Sequence, residues 1–391
     1  MALKTGAGSH VPSFLVMDVV AAANALAASP RAANHRVIRM EVGQPGLGAP
    51  EGVRQAVTAA MAGDNALGYT EAFGLPRLRS RIAAHYADWY SLDLPAARIA
   101  VVAGASAGFP LAFLAAFNPG DTIALTRPCY PPYLNIMTAL GLKPVLLPAT
   151  EATGFQPTLG MIEALDPKPD GLLIASPGNP TGSMLAPDDL AAIARYCHEQ
   201  GIRLISDEIY HGLTYGKPAV TVASFSPSAI AINSFSKYFS MTGWRVGWMV
   251  LPEDLIRPVE CLAQNMFICA PHISQVAAIA AFDCHAELSA RRSAYTRSRA
   301  LLLDALPRAG FTRLSPADGA FYLYADISHT GQDSSEFCRD LLSGLHISAT
   351  PGHDFDTARG GDFVRFSYCA SEADIAEASH RLLDRKKSAA A

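Results

Sequence analysis

The chain has 391 residues, 50% of them hydrophobic, and its 31 Lys and Arg stand against 35 Asp and Glu for a formal net charge of −4. That length supports a large buried core, arranged as two or three domains or as one large α/β unit with a smaller satellite. The near-neutral balance excludes any electrostatic drive toward nucleic acid or an anionic membrane surface, so an anionic ligand must be held by a local cluster of donors.

The N-terminal region carries no strong apolar stretch of the kind a secretory signal needs. Its VVAAANALAAS segment, preceded by Asp18 and containing Asn24, reads as the start of a helix. From about residue 100 to 251, short apolar runs alternate with helix-like segments. The runs are IAVVAG (99–104), TIALT (122–126), PVLLPA (144–149), GLLIASP (171–177), RLISDEI (203–209), AIAINSFS (229–236) and GWMVL (247–251). Runs that are apolar throughout suit strands covered on both faces, and the alternation with helices predicts a mostly parallel, doubly wound sheet. Between them DDLAAIARYCHEQG (188–201) has acids at its start and Gly at its end, as a helix should. After about residue 285 the pattern changes to a long helix closing on Gly310. FYLYADI, SSEFCRDLLSGL and DFVRFSY follow, then a last helix from Ser371, so the tail reads as α+β.

No run of 18 apolar residues occurs, so no membrane-spanning helix is expected. The seven cysteines, at 129, 197, 261, 269, 284, 338 and 369, contain no CxxC pair and read as reduced thiols of a cytoplasmic protein. The histidines show no HExxH or similar spacing, so no metal site is expected. The segment HGLTYGKP (211–218) has too few residues between its glycines, and a Pro after Lys217, to be a phosphate loop.

Polar residues gather where these strands end, and in open α/β sheets ligands bind at the carboxyl ends of strands. Gly104-Ala105-Ser106 follows the first run and opens a helical segment, where backbone N–H groups can meet an anion. SPGNPTG (176–182), DEIY (207–210) and NSFSK (233–237) close three others, and Arg245 lies eight residues beyond Lys237. Taken singly, these are a helix cap, a turn, a pair of capping acids and a solvated lysine.

Taken in order, they resemble the class I/II aminotransferases of the fold type I pyridoxal-phosphate enzymes. The resemblance runs from EVGQPG (41–46) to VRFSY (364–368), by way of GYTEAFGLPRLRSRIA (68–83), GASAG (104–108), PCYPPY (128–133), SPGNPTG, DEIY and GAFYLY (319–324). Its strongest element is SFSKYFSMTGWRVGW (234–248). The resemblance implies a large domain with a mostly parallel doubly wound sheet and a smaller α+β domain formed by both chain ends. The expected division is an N-terminal arm and part of the small domain over 1–45, a cofactor-binding domain over 46–285 and a small domain over 286–391. It also implies pyridoxal 5'-phosphate as cofactor, bound to Lys237 as a Schiff base. The reaction implied is ping-pong exchange of an amino group between a small amino acid and a 2-oxo acid.

Carried over by position, Asp207 is the partner of the cofactor's ring nitrogen, and Tyr210 and Asn179 donate to its phenolic oxygen. Tyr130 stacks on the ring, with Tyr133 as the alternative. Arg245, Ser234, Ser236, Ser106 and the Ala105–Ser106 amides hold the phosphate. Arg365 grips the substrate carboxylate, helped by Gly43 and Asn179, and a guanidinium fork suits that task. Tyr69 would reach across a homodimer interface to the neighbouring subunit's phosphate, giving shared sites. His353-Asp354-Phe355-Asp356 and Pro132 depart from the family's usual residues. No second arginine matches one for an acidic side chain, which favours a neutral or aromatic substrate. The same cofactor residues also serve C–S lyases and other elimination enzymes, and a sensor domain of a transcription regulator is the non-catalytic alternative.

Overall fold

Seven strands form the central sheet of the computed structural model, which describes residues 3–32, 35–64 and 66–390. A short strand β1 (Ile38–Arg39) precedes them. In chain order the seven are β2 (Ile99–Val102), β3 (Thr122–Arg127), β4 (Lys143–Pro148), β5 (Gly171–Ala175), β6 (Arg203–Asp207), β7 (Ile230–Ser234) and β8 (Gly247–Val250). Each falls on one of the apolar runs predicted from the sequence. Their order across the sheet is β2-β8-β7-β6-β5-β3-β4. All neighbours are parallel except β8, which runs against both β2 and β7.

The sheet is buried on both faces because successive side chains point to opposite sides. Leu172, Ile174, Leu204 and Trp248 enter one core, with Leu78, Ile82 and Tyr86 of the helix Pro76–Tyr90 and Leu190 and Ile193 of the helix Pro187–Gln200. Leu173, Ile205, Ile232 and Met249 enter the other, with Phe109 and Phe113 of the helix Ala105–Ala116 and Leu255 and Val259 of the helix Glu253–Met266. The helix Pro187–Gln200 stops at Gly201, whose φ of 71° places it in the left-handed region that glycine adopts without a Cβ penalty.

The long helix His285–Ala309 ends at Gly310, as the sequence predicts, and packs along the last helix, Glu372–Ala390. Four further strands follow it: β9 (Tyr322–Asp326), β10 (Ile347–Ser348), β11 (Thr350–Pro351) and β12 (Phe363–Ser367). Strands β11, β12 and β9 form an antiparallel sheet, while β1 pairs in parallel with β10. This last pairing ties residues near the two ends of the chain together. The N-terminal helix α1 (Leu15–Ala27) covers all but the last two residues of the predicted VVAAANALAAS segment and begins four residues before it, with no side-chain cap from its own N-cap residue Phe14. Among the described residues, no helix is long and apolar enough to cross a membrane. All seven cysteines are free thiols.

Candidate active site

The antiparallel course of β8 gathers the polar segments. Gly247 pairs with Val102 on one side and with Ser234 on the other. Gly104, Ser236 and Arg245 each lie two residues from that three-strand rung, so they converge at one end of the sheet. Lys237 follows Ser236 directly. Asp207 ends β6 beside β7, and the register Asp207↔Ile232 brings it to the same edge. Gly104 has φ 81°, and a Cβ there would overlap the Arg245 guanidinium. Arg245 also has positive φ, 51°, and its Nη1 donates to the Thr242 carbonyl at 2.9 Å. A non-glycine residue held in that region costs on the order of 1 kcal/mol, which the surrounding structure must supply.

These residues line a cleft of about 300 Å3. Its base holds Lys237, Asp207, Tyr210 and Ser236. Ala105 and Ser106 line it beside Arg245, whose guanidinium lies against Gly104, and Asn179 lines it beside Arg365, with Gly43 and Tyr130 also in the lining. Ala105 and Ser106 are the first residues of the helix Ala105–Ala116, so unpaired backbone N–H groups and the positive end of the helix dipole face the cleft beside Arg245.

Charge in the cleft is poorly solvated. Burial pushes the Asp207 carboxyl up from 3.8 to about 6, against the Tyr133 hydroxyl and the Ile209 N–H that donate to its two oxygens. The Lys237 ammonium donates to the Gly43 carbonyl at 2.6 Å. Desolvation lowers its pKa from 10.5 to about 8; Arg365 and Arg245 add to that, and Cys369 and Asp207 oppose it. A neutral, nucleophilic amine is thus within reach near neutral pH.

Arg365 is buried between aromatic faces, its guanidinium carbon 4.5 Å from the Tyr322 ring centroid and 4.7 Å from that of Phe355. Its Nη1 donates to Asn179 Oδ1 at 2.8 Å, and its Nη2 to the Glu41 carbonyl and, at 3.1 Å, to Thr350 Oγ1. The Thr350 contact follows from the β11–β12 register, which sets Thr350 opposite Arg365. Nε has no partner, and among the described residues no carboxylate pairs with either Arg365 or Arg245. Two guanidiniums without carboxylate partners among the described residues thus line one cleft.

The family profile described as aminotransferase class I and II matches residues 35–382. Valine–pyruvate aminotransferase of Mycobacterium tuberculosis is 46% identical over 387 residues, covering 98% of this chain and 97% of that one. The crystal structure of an aminotransferase from Mycobacterium tuberculosis superposes with a TM-score of 0.95 at 45% identity, covering 99% of this chain and all of that one. Aspartate aminotransferase from Thermus thermophilus with maleate superposes at 0.90 with 28% identity, over 98% of this chain and 100% of that one. The chain belongs to the class I and II aminotransferases.

In this aminotransferase two of the expected site residues stand apart from the cleft. Ser234 is buried behind it, its hydroxyl donating to Ser236 Oγ at 2.9 Å and to the Val246 carbonyl at 3.2 Å. It supports Ser236 and does not line the cleft, because its hydroxyl is engaged inside the sheet with Ser236 and the Val246 carbonyl. Tyr69 is 83% exposed and lies in a separate apolar depression with Phe267 and Ile268. Tyr133, the alternative stacking ring, packs against Phe109 and Tyr130 and turns its hydroxyl to Asp207. Sequence reasoning assigned no role to Tyr322, whose hydroxyl bonds that of Tyr210 at 2.8 Å. Nor did it find Phe14, Val16, Met17 and Val20, which form an apolar wall of the cleft. The GAFYLY segment held the first signal; the second had none, because α1 meets the cleft only through long-range packing.

The raised Asp207 pKa makes a stability prediction. Between pH 3.8 and about 6 the folded state holds a proton that the unfolded chain has already lost, so this group's contribution falls as pH rises through that window and stays low above it. Asp207→Asn keeps the shape and an acceptor for the Ile209 N–H, lets its NH2 donate to the Tyr133 hydroxyl, and removes the charge. The cofactor-free variant should therefore exceed the wild type by on the order of 2 kcal/mol at pH 8, with the gap closing toward pH 4. Urea unfolding of both proteins across that range measures it, and a gap independent of pH contradicts the assignment.

Proposed function

We propose that this aminotransferase binds pyridoxal 5'-phosphate in the cleft and exchanges the amino group of a neutral amino acid with a 2-oxo acid such as pyruvate in ping-pong order. The observation that carries the reading is a pair of guanidiniums without carboxylate partners among the described residues, lining the same cleft as a lysine of lowered pKa and a buried carboxylate. The donor set fits the cofactor. A phosphate dianion suits Arg245, Ser106, Ser236 and the helix N-terminus at Ala105. Asp207 suits a protonated ring nitrogen, and Tyr210 and Asn179 suit the phenolic oxygen. When bound, the group supplies an electron-withdrawing ring that stabilises negative charge at the substrate Cα.

The chain's own residues do the rest. Arg365 receives the substrate carboxylate, replacing its contact with Asn179 by a charge-assisted one. Lys237, neutral for part of the time at working pH, holds or moves a proton at the substrate Cα. Tyr133 and Ile209 orient Asp207 and keep it ionised. Among the described residues, the only cationic side chains lining the cleft are Lys237, Arg245 and Arg365. All three have tasks, which leaves none for an acidic substrate side chain, and the apolar wall favours an aliphatic or aromatic one. The valine–pyruvate activity in the name of the Mycobacterium tuberculosis relative is consistent with that choice.

The protein loaded with pyridoxal phosphate should change its cofactor absorbance on addition of L-valine alone and recover on addition of pyruvate alone. Borohydride should fix the cofactor covalently to the wild type and not to Lys237→Ala. Normal labelling of the variant would place the attachment elsewhere.

Replacing Arg365 by Lys or Ala should raise half-saturation for both amino acid and oxo acid at least ~10-fold, since a charge-assisted contact is worth about 1.5–3 kcal/mol. Cofactor affinity should be nearly unchanged. The reverse pattern would assign Arg365 to the cofactor.

The homodimer belongs to the same proposal. Tyr69 shares its depression with the exposed apolar side chains of Phe267 and Ile268, of the kind a partner subunit covers. Two-fold symmetry then lets each subunit lend one tyrosine and receive one. A mixed dimer of a Lys237→Ala chain and a Tyr69→Ala chain should regain about half the wild-type activity per dimer, because one site collects both lesions and the other is intact. A verified mixed dimer without recovery would show that Tyr69 serves its own subunit or none.

A further inference from the structure

The loop His353-Asp354-Phe355-Asp356 departs from the family's usual turn, and the structure gives Asp354 a long-range contact. Its Oδ1 accepts the backbone N–H of Leu15, the first residue of α1, at 2.9 Å. The Val16 N–H also faces this carboxylate, which is 9% exposed and has its second oxygen unpartnered. The first turn of α1 lacks any cap from its own chain segment. A carboxylate 339 residues away takes that place, with the charge that suits a helix N-terminus.

α1 also packs against β10 and β11, but few of its side chains are buried. Along the whole helix only Val16 and Ala23 are buried, and Met17 is 60% exposed. Toward its far end, Arg39 donates to Asn24. Yet Phe14, Met17 and Val20 form a wall of the cleft, and Phe14 meets the Tyr130 ring edge-on at 6.0 Å. Asp354 is followed by Phe355, whose ring lies against Arg365. One loop therefore touches both the seat of the substrate carboxylate and the helix that walls the cleft.

We propose that Asp354 is a positioning residue that caps α1 from the distant loop 353–356, fixing Phe14, Met17 and Val20 as an apolar wall that favours amino acids with branched or larger apolar side chains over alanine. The inference rests on the transaminase reading for its substrate and on geometry alone for the cap. A short side chain does not reach the wall and gains nothing from its being fixed. A branched one gains contact that a loose helix supplies only after being ordered.

The test uses the full chain loaded with pyridoxal phosphate. Two quantities are read: the ratio of kcat/KM for L-valine over L-alanine in the amino-donor half-reaction, and hydrogen exchange at the amides of residues 15–18. In Asp354→Ala the ratio should fall about 10-fold and exchange should quicken about 10-fold, the scale of a lost helix cap. Asp354→Asn retains an oxygen for the Leu15 N–H and should keep both within about two-fold of wild type by the same reasoning. Met17→Ala with Val20→Ala removes the wall and keeps the cap, so the ratio should fall with exchange unchanged. A parallel loss for both amino acids in Asp354→Ala, or unchanged exchange, overturns the proposal, as does an Asn variant equal to the Ala one. If neither amino acid alters the cofactor absorbance, the transaminase reading fails. The exchange measurement, which needs no substrate, then still decides whether Asp354 holds α1.

Discussion

The antiparallel placement of β8 is the constraint on which this site depends. Had β8 run parallel to its neighbours, Arg245 would enter the sheet at the opposite edge from Asp207, Ser236 and Gly104. Because Gly247 instead pairs with both Val102 and Ser234, the entry of one strand lies beside the exits of two others. Glycine is required there, since a Cβ at 247 would stand 2.7 Å from the Asn233 carbonyl oxygen and 3.0 Å from the Ala105 nitrogen. The close packing that excludes a methyl group brings the helix N-terminus, the Ser236 hydroxyl and the Arg245 guanidinium to one point.

Concentrating ionisable groups at that edge is costly to the fold. Asp207 and Glu208 are adjacent and buried, with carboxyls pushed up to about 6 and about 7, desolvation being the first cause in each. Glu208 is partly compensated by the Val222 N–H at 2.8 Å and the Thr221 hydroxyl at 3.1 Å. Asp207 has Tyr133 and Ile209. Neither arrangement removes the penalty, because burial costs each carboxylate more hydration than its neutral donors, and for Asp207 the charge of Lys237, return. Sites of this kind hold such groups ready for a ligand of opposite charge, and the stability they lack alone returns when it binds.

Arg365 shows the same economy at the substrate end. Its guanidinium is sandwiched by Tyr322 and Phe355 and satisfied by neutral oxygens of Asn179, Glu41 and Thr350. Neutral partners orient the fork without cancelling its charge, so the field at the cleft remains attractive to a carboxylate. The Tyr322 hydroxyl, bonded to that of Tyr210, links this end to the cofactor end. A Cβ on Gly43 would overlap that hydroxyl, which explains a glycine where residues 41–46 enter the cleft.

By itself, the sequence determined the strands and the chemical segments. Seven runs apolar throughout can bury both faces only inside a layered α/β sheet, and period and turn residues are local properties legible in a chain. The order of SFSK, Arg245, DEIY, NPTG and VRFSY likewise named the lysine, the carboxylate and the two guanidiniums that the cleft collects. Tertiary structure alone decided which neighbours face the ligand. Ser234 and Ser236 look alike in the sequence, but one is turned into the sheet and the other out of it by the end of β7. Tyr133 is one of two tyrosines in PCYPPY, and only packing against Phe109 directs its hydroxyl to Asp207. The wall from α1 and its cap at Asp354 join residues 339 apart. No local periodicity records such a contact, because it exists only once the β1–β10 pairing has brought the two ends of the chain together.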